Sequence, residues 1–99
     1  MSDFKLLDSS EIMLEGKWEL LDGRVVADIT CNRIDFLIMN FLTEIAIDKS
    51  GWQVLYQDSR DGRYWERIFL HGEWHGGGPS SLKWLDEDTA KRKYNFMCN

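Results

Sequence analysis

The chain has 99 residues, 43% of them hydrophobic, and five of its aromatic residues are tryptophan, enough for one modest core and too apolar for a disordered tail. A net charge of −5 argues against a nucleic-acid binder that works by neutralising phosphates, and suits encounter with a basic partner.

Residues 1–16, "MSDFKLLDSSEIMLEG", lack a basic segment followed by an apolar one, so no secretory signal is expected. Next, "KWELLDGRVVAD" holds two short apolar-rich segments around Asp22-Gly23, a dipeptide suited to the positive φ angles of a tight hairpin. Strands are predicted over Lys17–Leu21 and Arg24–Asp28. In "ITCNRIDFLIMNFLTEIAIDKSG", Ile34, Leu37, Ile38, Phe41, Leu42 and Ile45 recur as one face of an amphipathic helix. Thr30 is the expected cap, and Lys49 with Gly51 the expected end. The apolar run from Ile34 to Ile47 is too short and too interrupted by polar residues to span a bilayer. Phe36, Met39 and Ile47 form a second, weaker stripe. Either the N-terminal segment with Phe4, Leu6 and Leu7 folds over it, or it is an apolar patch open to another chain, a homodimer included.

"GWQVLYQDSRDGRYWERIFL" reads as strand, loop and strand. Trp52, Val54 and Tyr56 share one side, and Tyr64, Glu66 and Ile68 alternate with Trp65, Arg67 and Phe69. The loop "DSRDG" suits a longer hairpin connection. "SLKWL" is a further short strand. "DEDTAKRKYNF" is a last helix, with acids first and bases later as the helix dipole favours. The order predicts one α+β domain over residues 1–99: an antiparallel sheet, one long amphipathic helix packed on a face, and a short C-terminal helix.

The stretch with the most apparent chemistry is "HGEWHGGGP". A zinc motif of the HExxH kind needs its glutamate directly after the first histidine and needs a helix. Here Glu73 stands two after His71, and Gly72 with Gly76, Gly77 and Gly78 opposes a helix. No lysine follows the glycines, so a phosphate-binding loop is not expected either. Backbone shaping by the glycines, with Pro79 fixing the exit, is the favoured reading. Asp58, Asp61 and Glu66 interleave with Arg60, Arg63 and Arg67, which predicts a solvated ion-pair network rather than an acid–base pair. The serines lack a nucleophile elbow. Cys31, near Arg33 at a helix start, reads as a small hydrophobe more readily than as a nucleophile. Cys31 and Cys98 are expected to be thiols in a reducing cytosol. No catalytic residues, metal or cofactor are expected.

Taken together, "LDGRVVAD", "NRIDFLI", "SGW", "LYQD", "DGRYWE" and "HGGGP" give the stretch from about Trp18 to Leu82 a likeness. The chain resembles the immunity protein 27 family of bacterial polymorphic toxin and contact-dependent inhibition systems. It departs from that pattern at two turn positions, Ser59 and Ser80, where the family has prolines. The resemblance implies a cytoplasmic antidote that binds and neutralises a cognate toxin domain, possibly a nuclease, as a one-to-one heterodimer. It implies no chemistry of the antidote's own, no direct nucleic-acid contact and no membrane.

The residues that match the family motif are Trp52, Asp58, Asp61, Gly62, Arg63, Trp65, Glu66, His75, Gly76, Gly77, Gly78 and Pro79. They are expected to be structural, because specificity for one toxin belongs on less stereotyped surface. Candidate toxin contacts are Tyr64 and Trp74 as aromatic anchors, with Glu73, Asp86, Glu87 and Asp88 as acidic contributors. Two other readings remain: a non-enzymatic module with tryptophans lining a pocket, and a small metal-dependent hydrolase using His71, Glu73 and His75.

Overall fold

The computed structural model describes residues 6–69 and 78–94. In chain order these form β1 (Met13–Glu15), β2 (Trp18–Leu21), β3 (Arg24–Ala27), α1 (Ile29–Asn40), β4 (Leu42–Ile47), β5 (Val54–Asp58), β6 (Tyr64–Phe69), β7 (Ser80–Leu85) and α2 (Glu87–Tyr94). The architecture is α+β. Five strands make an antiparallel sheet in the order β1-β7-β6-β5-β4, and β2 with β3 makes a separate hairpin.

Strand register assigns each side chain to a face. Leu14 stands opposite Leu82, and Tyr56 opposite Trp65. These residues join Leu7, Leu42 and the Ile34–Leu37 stripe of α1 in one core. On the other side Tyr64 stands opposite Leu85, and with Leu55 these pack against Ala90 and Tyr94 of α2. The sheet is therefore sandwiched, with α1 over one face and α2 over the other. That explains the consecutive burial of Tyr64, Trp65 and Glu66 on the middle strand, where a one-sided sheet would alternate.

The predicted long helix is cut short. Helix α1 ends at Asn40, and Leu42–Ile47 is an edge strand paired with β5. Leu42 and Ile45 satisfy a helical repeat, but Thr43, Ile45 and Ile47 also place β-branched residues at every second position. Ladder hydrogen bonds to β5 favour that alternative. Asp28, not Thr30, caps the helix: its backbone is extended and its carboxylate accepts from the Cys31 N–H at 2.9 Å. Burial would raise the Asp28 carboxyl, but hydrogen bonds from Cys31, Lys17 and Thr30 outweigh it and hold it below its usual value. Capping also ends the second strand at Ala27, one residue before its predicted end. Gly51, at φ +80, closes the Asp48–Gly51 turn and not a helix.

Three further differences matter. Strand β1 was not predicted. Phe36 is half-buried against the core that holds Leu7, while Met39 and Ile47 stay exposed, so the N-terminal segment covers only part of the second stripe; Phe4 lies outside the described residues. Trp52 precedes β5 as an exposed residue, edge-on to Phe69 at 6.4 Å. Among the described residues, no helix is long and apolar enough to cross a membrane.

Candidate functional site

The β5–β6 connection is a tight loop. The Asp58 N–H donates to the Arg63 carbonyl at 2.9 Å, and the Gly62 N–H donates to the Asp58 carbonyl at 2.8 Å. Gly62 takes φ +78, a conformation that disfavours a residue with a Cβ. Asp58 is fully buried, and its carboxylate accepts from the Arg60 N–H at 2.9 Å and from Nη2 at 2.8 Å. Arg63 Nε donates to Asp61 at 2.8 Å, and its guanidinium lies 4.9 Å from the Trp65 ring centroid.

The arginines also reach away from the loop. Arg60 donates to the Leu7 carbonyl, and Arg63 to the carbonyls of Asp8 and Glu11. Arg33 of α1 donates to the Leu6 carbonyl and makes a two-pronged bond to Glu11 at 2.9 and 2.7 Å. Three guanidiniums thus clamp the chain from Leu6 to Glu11 against α1 and the β5–β6 loop. Glu66, buried on β6, accepts from Lys93 and from the Tyr94 hydroxyl at 2.7 Å, tying α2 to the opposite face. Burial, then the hydrogen bond to Glu66, raises the Tyr94 hydroxyl above its ordinary value.

The expected solvated ion-pair network is corrected accordingly. Asp58–Arg60 and Asp61–Arg63 pairs exist, but Asp58 is sealed from water, Glu66 pairs with α2, and Arg67 turns to Asp35. Cys31 is buried, and its thiol is pushed up by burial and by Asp28, the opposite of an activated nucleophile. It packs beside Gly16, where an added Cβ would collide with Cys31 Sγ and the Ser80 carbonyl. Gly78 and Pro79 are buried. His71, Glu73, Trp74, His75, Gly76, Gly77 and Cys98 lie outside the described residues. Among those described, no group of three His, Cys, Asp or Glu residues is placed to hold a metal.

The Tyr64–Leu85 register brings the loop end of β6 beside the start of α2. A cleft of about 220 Å³ opens there, lined by Asp61, Gly62, Arg63, Tyr64, Trp84, Leu85, Asp86 and Glu87. Asp86 caps α2, accepting from the Thr89 N–H at 2.7 Å. That bond holds its carboxyl below the usual range. Burial would raise Asp61, but hydrogen bonds from Arg63, with the charges of Arg63 and Arg60, outweigh it and lower it too. Both are anionic at neutral pH, so the cleft offers acceptors for a cation. Asp88 is exposed one residue further along α2.

Tyr64, a candidate aromatic anchor by residue type, is 4% exposed: it lies on the face that α2 covers. Trp84, 37% exposed, is the accessible aromatic at this cleft; in sequence it reads only as part of the strand "SLKWL". A second surface was also missed. On the β2–β3 hairpin, Leu20 is 74%, Val25 68% and Leu21 60% exposed, with Trp18 and Ile29 exposed nearby. The signal was present in "WELL", where adjacent leucines on a strand must point to opposite faces.

Residues 20–86 match the family model described as immunity protein 27. No curated protein and no solved structure matches the chain.

Proposed function

The chain belongs to the immunity protein 27 family, and on that premise we propose that it binds the toxin domain encoded beside it and holds that domain inactive. Membership supports an immunity protein, a toxin inhibitor. The finer reading is a one-to-one heterodimer in the cytoplasm that occludes the toxin's active site, without chemistry, cofactor, nucleic-acid contact or membrane contact of its own.

The observation that carries this reading is the cleft at the end of the sheet. Asp61, Asp86 and Glu87 line it with a single guanidinium, that of Arg63, already bound to Asp61, and Trp84 stands beside them. A toxin that acts on nucleic acid carries a basic groove. Such a groove finds in the cleft, with Asp88 one residue further along α2, a surface of opposite sign with Trp84 as aromatic anchor. The family-motif residues Asp58, Gly62, Arg63, Trp65 and Glu66 act as scaffold, since each is engaged within the chain.

An antidote of this kind needs nanomolar affinity, about −12 kcal/mol, over about 800 Å² per partner. Titration calorimetry of the purified chain with the product of the adjacent toxin gene tests it. One-to-one binding at nanomolar affinity, with loss of the toxin's activity, is expected; no heat at micromolar concentrations would sink the reading. Changing Glu87 and Asp88 together to lysine is expected to slow association and flatten its salt dependence. Unchanged association kinetics would remove this surface from the proposal.

A further inference from the structure

We infer that the β2–β3 hairpin is an arm that inserts into a groove of the toxin domain; this rests on the toxin reading above and adds the surface by which the toxin is retained. Among the described residues β2 and β3 pair only with each other. Their register puts Trp18, Leu20, Val25 and Ala27 on one face and Glu19, Leu21, Arg24 and Val26 on the other. Leu20, Val25 and Leu21 are all more than half exposed. The hairpin is closed at its base by the Asp28 N–H, which donates to the Lys17 carbonyl at 2.9 Å, and tied to the sheet by the Gly16 N–H, which donates to Ser81 Oγ at 3.2 Å. Asp22 and Gly23, at φ 51 and 77, fix its tip in a tight turn. A ribbon held in one shape loses little entropy when it is gripped.

Its size and its two-sidedness choose the occupant. Leu20, Val25 and Leu21, with Trp18 and Ile29 beside them, form an exposed apolar patch of the kind that marks an interaction site, smaller than the ~800 Å² that one partner of a standard interface buries. Two copies meeting hairpin to hairpin would have to find their whole interface in that area. Stacked face to face, they would leave Leu21 in water. A groove that closes around the ribbon covers Leu20, Val25 and Leu21 together, and the remaining area comes from the rest of the chain.

The charges of the hairpin and its base, Lys17, Glu19, Asp22, Arg24 and Asp28, sum to only −1. It therefore contributes little to electrostatic steering, and its effect falls on dissociation. The cleft carboxylates act on association, so the two surfaces are kinetically separable.

The test is surface-plasmon kinetics of the full chain against the product of the adjacent toxin gene. Changing Leu20→Ser with Val25→Ser is expected to raise the dissociation rate about 100-fold, and Val25→Ser alone about 10-fold, with association within about twofold. The free variants should keep the wild-type circular dichroism; if the double change fails to fold, Val25→Ser carries the test. Unchanged dissociation, with wild-type binding intact, overturns the arm and leaves the toxin reading standing. Absence of wild-type binding overturns that reading and the arm with it. A wild-type dimer in sedimentation that Val25→Ser turns into a monomer gives the face to a second copy and also overturns the arm.

Discussion

Strand β6 and the β2–β3 hairpin are made of similar material and have opposite fates. "YWERIF" and "WELL" are both dense in large apolar residues, and both lie in antiparallel ladders. On β6 neighbouring residues are buried one after another, because α1 closes one face and α2 the other. On β2 every residue is exposed. Strand composition therefore does not decide burial; the layers stacked on the strand do. Apolar side chains that no layer covers add little to the stability of the free chain, which leaves them available for another role.

This contrast is open to measurement by chemical denaturation. The largest effect is expected at the sheet's centre. Trp65 is fully buried, so Trp65→Ala should cost about 3–5 kcal/mol and leave the chain largely unfolded near room temperature. A cost below about 1 kcal/mol would mean that the central layer is not packed as described. Next is the clamp: Arg63→Ala removes bonds to Asp8, Glu11 and Asp61 and should cost about 2 kcal/mol. Leu20→Ala, by contrast, should change stability by no more than about 0.5 kcal/mol. A loss as large as that of Arg63→Ala would show that the hairpin is part of the fold's support and dissolve the comparison.

The smallest effect concerns pH. The folded carboxyls of Asp86, Asp61 and Asp28 lie below their unfolded values. Between the two values the unfolded chain binds more protons, so stability is whole above the unfolded value, near pH 4, and falls as pH drops through the folded ones. Asp86→Asn keeps a capping side chain and should flatten part of that slope in denaturation curves taken from pH 5 to pH 2. An unaltered slope would place the acid sensitivity elsewhere.

Much of the fold was legible because it is local. Asp22-Gly23 announced its turn, and Ile34 with Leu37 announced the buried stripe of α1. Acids followed by bases announced α2. Strand β4 was lost because Ile45 fits two periods at once, the helical one with Leu42 and the strand one with Thr43 and Ile47, and only the presence of β5 alongside decides between them. Strand β1 is three residues long, too few to carry a period. The acids of the cleft were visible as residue types, but their meeting with Asp61 depends on the pairing of β6 with β7, a long-range register that no spacing discloses. The clamp was illegible for a different reason. The partners of Arg33, Arg60 and Arg63 include backbone carbonyls, and every residue has one.

That clamp bears on where the chain can be cut. Residues 20–86 carry the family's recognisable pattern, yet Leu7 and Leu14 fill the α1-side core, and Ala90 and Tyr94 fill the other. A chain trimmed to residues 20–86 would lose four core side chains, strand β1, all of α2 and the carbonyls that three guanidiniums hold. The stretch by which the family is recognised is shorter than the stretch that folds, and trimming to it is expected to yield an insoluble product.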